Sequence, residues 1–298
     1  MANPTSSIAA KFMSSACLLR LRDGRRLGYA EYGDRAGAPV LFFHGTPGSR
    51  RVAQVAHEVA TRLAVRIIAP DRPGFGLSDF QPARKLIDWP ADVVQLADAL
   101  GLERFAVAGV SGGGPYVATC ASRIADRLTR AGIISGMGPL DDPALTAGLR
   151  FGYRTGLGVV RTAPGVARVV LALGGLGMRH CPERLLDLVA GSMPAADRAV
   201  LVRPGVRALL IDDVREALRQ GVRGAAHELT LFSRPWGFRP EGIRLPVRLW
   251  HGEADTQVPV AIARRLAATI PQCHASFMRG AGHFWVFDHL DEVVSALI

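Results

Sequence analysis

Residues 105–116 read Phe105-Ala106-Val107-Ala108-Gly109-Val110-Ser111-Gly112-Gly113-Gly114-Pro115-Tyr116. The first four are an apolar run that suits a buried strand, and Tyr116 through Leu128 suits a helix. Between them lies a G-x-S-x-G pentamer, Gly109 to Gly113. Taken alone, such a pentamer reads as a plain turn, because Gly and Ser dominate turns. The strand before it and the helix after it give it another meaning. A serine on a sharp strand-to-helix turn sits in strained backbone, with its hydroxyl pushed out at the end of the sheet. Small residues on both sides let the two arms approach each other. Ser111 is therefore the candidate nucleophile.

A nucleophilic serine needs a base, and the base needs a group that orients it. Where such an elbow occurs, chain order is Ser, then an acid, then His. The last third of the chain supplies both in that order. Val247-Arg248-Leu249-Trp250 reads as a strand running into His251-Gly252-Glu253-Ala254-Asp255, a polar turn. Ala275-Ser276-Phe277-Met278 reads as the next strand, and Gly280-Ala281-Gly282-His283 follows it. If the strands are parallel neighbours, Asp255 and His283 meet Ser111 on one edge of the sheet. Asp255 also suits a turn or N-cap position. Asp141 and Asp142 are alternative acids, after an earlier strand. His44, His251, His274 and His289 compete with His283 by residue type alone.

Upstream, Pro39-Val40-Leu41-Phe42-Phe43 reads as a strand that delivers the loop His44-Gly45-Thr46-Pro47-Gly48-Ser49, and a helix is expected over Arg51 to Leu63. Acyl transfer needs backbone N–H donors aimed at the developing oxyanion. The N–H of Gly112, next after the nucleophile, is one candidate. The N–H of Thr46 is the natural second, since Pro47 has none to give.

The ordered set His44-Gly45-Thr46-Pro47-Gly48, Asp71-Arg72-Pro73-Gly74-Phe75-Gly76-Leu77-Ser78, Gly109-Val110-Ser111-Gly112-Gly113, Asp255 and His283 resembles the α/β-hydrolase superfamily, in its branch with an HG-x-P oxyanion loop. The likeness covers about residues 20–298. It implies a serine nucleophile at Ser111, an acid at Asp255 and a base at His283. It also implies that the Asp71–Ser78 segment is a structural turn, with backbone geometry and no chemistry assigned. Members with this loop and an aspartate nucleophile are dehalogenases or epoxide hydrolases, and Ser111 argues against both. The proline iminopeptidase branch usually shows H-G-G-P-G and a Trp after the nucleophile; Thr46 and Gly112 stand at those places here, which weakens that assignment.

The alternation of strand and helix signals implies α/β architecture with a mostly parallel sheet covered on both faces. Leu18 to Leu21 and Arg26 to Tyr32 read as an opening hairpin. Strands are then expected at 39–43, 65–69, 105–108 and 131–135, with a helix over Pro90 to Leu100. After Gly136 the rhythm changes, and residues 139–243 show helical stretches broken by Gly and Pro. The expected division is a flexible lead over 1–16, a core over 17–138 and 244–298, and a helical cap over 139–243 inserted after the sixth strand. The apolar stripes at 169–173, 185–188 and 209–211 read as helix core more than as ligand contacts. Phe232, Trp236 and Phe238, ahead of the return to the sheet, are candidates to line the pocket.

The chain of 298 residues, 49% hydrophobic, can bury a sizeable core. Lys11 and Lys85 are its only lysines, and the net charge is +10. The arginines are spread along the chain and not gathered with aromatics, so nucleic-acid binding is not expected. No apolar run is long enough for stable membrane insertion. No signal peptide is read, since the start lacks a basic region and Lys11, Ser14 and Ser15 interrupt the apolar stretch. Cys17, Cys120, Cys181 and Cys273 are scattered without metal spacing, and buried thiols in a reducing compartment are expected. The expected protein is a cytoplasmic serine hydrolase cleaving a small-molecule ester or related acyl bond, with no metal and no cofactor. A C–C bond hydrolase, an aminopeptidase, a cofactor-free perhydrolase or a ligand-binding receptor on the same fold are the alternatives. The oligomeric state is left open.

Overall fold

A computed structural model describes residues 16–141, 146 and 151–298. All but the last residue of the expected N-terminal lead, and Asp142 among the alternative acids, lie outside the described residues. Eight strands form one sheet: β1 (Cys17–Arg20), β2 (Arg26–Gly33), β3 (Ala38–Phe43), β4 (Val65–Pro70), β5 (Phe105–Val110), β6 (Leu128–Ile134), β7 (Val247–Gly252) and β8 (Cys273–Met278). Their order is β1-β2-β4-β3-β5-β6-β7-β8. β2 pairs antiparallel with both β1 and β4, and every other pairing is parallel.

Parallel pairing needs crossover connections, and these are helical. They include α1 (His57–Arg62), α2 (Trp89–Ala99), α3 (Gly114–Arg123) and α10 (Val260–Thr269), and α11 (Leu290–Ser295) follows the last strand. The alternation of side chains along each strand sends neighbours to opposite faces. Leu41, Phe43 and Val107 pack on one face, with Trp89, Val117 and Ile262 of α2, α3 and α10. Val40, Ala106 and Ala108 pack on the other, with Ala60 of α1 and Val293 of α11. β5 is buried over Phe105 to Gly109, as a central parallel strand covered on both faces must be.

Among the described residues six helices run between β6 and β7: α4 (Phe151–Thr162), α5 (Pro164–His180), α6 (Pro182–Gly191), α7 (Ala195–Leu201), α8 (Pro204–Ala217) and α9 (Arg223–Phe232). Among the described residues of this stretch there is no strand. Pro164, Pro182 and Pro204 each open a helix, where a missing N–H costs nothing. These prolines cut the stretch into separate helices. Among the described residues no single helix is long and apolar enough to cross a membrane.

Three expectations shift. The helix after the elbow ends at Arg123, because Leu128 is taken by the sheet, where it pairs with Phe105 and is fully buried. The expected helix over Arg51 to Leu63 is a tighter 3₁₀ turn, Arg50–Ala56, followed by α1. Of the four cysteines, Cys120 alone is buried and Cys181 is exposed. Cys181 lies in the junction between α5 and α6, away from the sheet core.

The parallel register matters most for the site. Phe43 aligns with Gly109, Ile134 with Trp250, and Gly252 with Met278. The carboxyl ends of β3, β5, β7 and β8 therefore share one edge. His44, Ser111, Asp255 and His283 all follow those ends within a few residues.

Candidate active site

Ser111 follows β5 with φ +54°, a left-handed conformation that costs a non-glycine residue about 1 kcal/mol or more. The turn persists because its neighbours close on it. A Cβ on Gly109 would lie 2.7 Å from the carbonyl oxygen of Gly113, and one on Gly113 would lie 2.3 Å from that of Phe43. Only glycine lets the arms of the turn meet and seat against β3. The carbonyl of Ser111 accepts from the N–H of Met137, which ties the elbow to the chain leaving β6.

Asp255 and His283 meet as the spacing requires. His283 Nδ1–H donates to Asp255 Oδ2 at 2.7 Å. Asp255 Oδ1 accepts from the N–H groups of Gln257 and Val258 at 2.8 and 2.9 Å, so the carboxylate is fixed by its own turn. With Nδ1 occupied, the other ring nitrogen is the one free to act as a base. Three groups hold the histidine loop. Ser135 Oγ donates to the carbonyl of His283, Asp197 of α7 accepts from the N–H of Phe284, and Ala254 N–H donates to Ala281 O.

The competing histidines fall away on geometry. His274 and His289 are exposed. His251 is buried beside Asp255 and donates from Nε2 to the carbonyl of Val258; burial holds it below its ordinary pKa. His44 donates from Nδ1 to Gly45 O and accepts at Nε2 from the N–H of Arg72. Complete burial, reinforced by Arg72, keeps it neutral. Asp255, not Asp141, is the acid that reaches His283.

The Thr46 loop lies against the elbow. A Cβ on Gly112 would sit 2.2 Å from Thr46 Oγ1 and 3.3 Å from Phe232 Cε2. The absence of a side chain at Gly112 thus lets the loop and α9 close over the residue after Ser111.

That loop is held by a buried ionic cluster that sequence reasoning missed. Arg72 and Glu228 are both fully buried. Arg72 Nε and Nη2 donate to Glu228 Oε1 and Oε2 at 2.7 and 2.8 Å, a two-pronged pair. The same guanidinium donates to the carbonyls of His44 and Gly45 and to Thr46 Oγ1. Thr46 Oγ1 in turn donates to Glu228 Oε2 at 2.5 Å. Arg84 and Tyr116 both reach Glu228 Oε1, at 3.2 and 2.7 Å. Burial alone would push the Glu228 carboxyl up; Arg72 and Arg84 overcome it and hold it far below the usual range. Arg72 belongs to the segment read as a structural turn, so its grip on the Thr46 loop is a correction to that reading. Asp71 does fit it, accepting from the N–H groups of Arg50 and Leu77.

Ser111, His283, Thr46 and Phe232 line one cavity of about 730 Å³. Its remaining wall is largely apolar and comes from both the sheet side and the helices between β6 and β7. Val170, Leu171, Leu186, Leu210 and Ile211 belong to it, so the apolar stripes read as helix core supply cavity wall as well, while Leu186 and Ile211 also pack in a buried core cluster. Trp236 and Phe238 do not line this cavity, contrary to expectation. The chain turns away after α9 and lays both rings, 5.7 Å apart, on the main core cluster.

A family model described as alpha/beta hydrolase fold matches residues 38–290. The chain is 28% identical over 287 residues to haloalkane dehalogenase 2 of Mycobacterium tuberculosis, covering 92% of this chain and 90% of that protein. It is 25% identical over 284 residues to 2-hydroxymuconate semialdehyde hydrolase of Pseudomonas putida, covering 91% and 89%. The solved structure of a bromoperoxidase from Bacillus anthracis superposes with a TM-score of 0.71 at 23% identity, over 95% of this chain and 99% of that one. Fold, site geometry and the family match agree: the chain belongs to the α/β-hydrolase family.

Proposed function

We propose that the protein is a serine hydrolase of small-molecule esters, working through Ser111, His283 and Asp255. The observation that carries this reading is the convergence of the three. Ser111 is strained on its elbow, His283 is oriented by Asp255 at 2.7 Å, and Ser111 and His283 face one cavity. His283 removes the Ser111 proton as Oγ attacks the acyl carbon. Asp255 fixes the imidazole tautomer and stabilises the imidazolium that forms. The Thr46 and Gly112 N–H groups receive the oxyanion. His283 passes the proton to the departing alkoxide. Water then attacks the acyl-enzyme, with His283 again as base, and releases the acid. No step of this sequence calls on a metal or an organic cofactor.

The helices between β6 and β7 act as the cap in this reading, since they supply much of the cavity wall. That wall suits an apolar acyl or alkyl group. A serine at position 111 speaks for acyl transfer over dehalogenation, in which the resemblance expects an aspartate at the elbow. The test is a panel of acyl esters, aminoacyl amides, vinylogous diketones and haloalkanes with purified protein. Turnover of acyl esters ahead of the other classes is the expected result. Halide release from haloalkanes without ester turnover would overturn the reading.

A further inference from the structure

We propose that Asp213 is a specificity residue that binds a hydroxyl group on the substrate's acyl or alcohol part. The inference rests on the serine-hydrolase reading and specifies its substrate class. Asp213 lies within α8, is only 3% exposed, and lines the cavity that holds Ser111. Its hydrogen bonds are lopsided. The N–H and Oγ of Ser49 and the N–H of Val52 all donate to Oδ1, at 2.9, 2.7 and 3.0 Å. Oδ2 accepts from no protein donor among the described residues. The Ser49 turn is thus satisfied by one oxygen, and the second, strongly polar one, on a residue that lines the cavity, has no protein donor among the described residues.

Its place relative to the nucleophile is set by a single loop. A Cβ on Gly45 would lie 3.6 Å from Ser111 Cβ, and a Cβ on Gly48 would lie 3.2 Å from Asp213 Oδ2. The same Cβ on Gly48 would lie 2.9 Å from the carbonyl oxygen of Gly45, so Ser111 Cβ and Asp213 Oδ2 are about 13 Å apart at most. A substrate whose acyl carbon sits at Ser111 can reach Asp213 with a short chain.

The surroundings say what the far end of that chain must carry. Val52, Leu210 and Val214 line the cavity on the same elements as the Asp213 contacts, and they offer no hydrogen bond from their side chains. A carboxyl oxygen that loses water when a substrate fills the cavity and gains no donor in return is costly, so a substrate that supplies one is selected over its isostere that cannot. A hydroxyl fits better than an ammonium. Burial, with a contribution from Asp71, raises the Asp213 carboxyl to about 7, against the pull of the Ser49 donors. A hydroxyl can donate to the ionised form or accept from the protonated one, whereas an ammonium needs the ionised form. An ammonium must also shed its hydration among apolar side chains.

The test is kcat/KM at pH 8 for esters of graded length bearing a terminal hydroxyl, methoxy or amino group on the acyl or the alcohol part. The wild-type protein should prefer the hydroxyl over the methoxy ester by about tenfold at the matching length. Asp213→Asn should bring that ratio close to one. The Ser49 and Val52 N–H groups hold the amide oxygen where Oδ1 was, so the amide NH₂ faces the cavity, and both ethers and alcohols can accept from it. A wild-type ratio near one at every length, or a ratio that Asp213→Asn does not move, overturns the proposal. So does a preference for the amino ester. If the variant does not fold, as melting will tell, the wild-type ratio alone decides. Plain acyl esters and a fluorophosphonate report separately on the hydrolase reading. Should both fail, calorimetric binding of a hydroxy-alkane and its methyl ether still decides the subsite: tighter binding of the alcohol supports it, and equal binding overturns it.

Discussion

Arg72 and Glu228, 156 residues apart in the chain, form a two-pronged ion pair with neither side chain exposed to solvent. The pair joins the turn after β4 to α9, and through Thr46 Oγ1 it fixes the loop that leans on the elbow. Two charges out of water are tolerated here because every part of the carboxylate is met. Arg72, Arg84, Tyr116 and Thr46 all donate to it. Such a pair adds little net stability over apolar packing, but breaking it on one side strands a buried charge.

Glu228→Gln should accordingly destabilise the protein by about 3–5 kcal/mol in urea unfolding. Ester turnover should fall as well, because the Thr46 loop loses its anchor while Ser111, His283 and Asp255 are untouched. Stability and turnover both equal to the wild type would show that the cluster neither holds the loop nor supports the fold.

Asp255→Asn keeps the shape of the acid and removes its charge. It should reduce kcat/KM on an acyl ester by roughly 10²–10⁴-fold. Asp141→Asn should be nearly silent, since Asp255 is the acid that reaches His283. The reverse pattern, measured on the same ester, would reassign the acid.

Asp213 gives the protein a stability term with a definite sign. Its carboxyl is raised to about 7 when folded, against about 4 in an unfolded chain. Between these values the folded state keeps a proton that the unfolded state has lost. The contribution is therefore complete below about pH 4 and is lost as pH rises towards 7. Asn at this position does not titrate. The stability of Asp213→Asn relative to the wild type should rise between pH 4.5 and 7.5, by about 4 kcal/mol at most. Thermal melts of both proteins across that range check it, and a difference independent of pH would contradict it.

The parts of the site legible in the sequence are those carried by local pattern. Ser111, Asp255 and His283 each follow a segment that reads as a strand, an apolar run at β5 and mixed segments at β7 and β8, and parallel pairing brings those ends together. Glu228 and Asp213 carry no such mark. Each is an acidic residue in an amphipathic helix, and its role comes from partners more than 100 residues away. Arg72 was visible within its motif, but nothing local tells a turn residue from one whose guanidinium reaches back to three residues of another loop. Trp236 and Phe238 misled for the opposite reason. An aromatic residue after a helix suits core and cavity equally, and the direction of the chain after α9 decides between them. The apolar stripes of α5, α6 and α8 had the same ambiguity, and there the cavity took some of what was assigned to the core.

The account stands most directly on Ser111 as the nucleophile. Purified protein and its Ser111→Ala variant should be treated with a fluorophosphonate, followed by intact-mass measurement and by turnover of an acyl ester. The wild type should gain the mass of one phosphonyl group. The variant should gain none, melt as a folded protein, and turn over the ester slower by roughly 10³-fold or more. A folded Ser111→Ala protein that still takes the label, or that hydrolyses the ester at the wild-type rate, would contradict it.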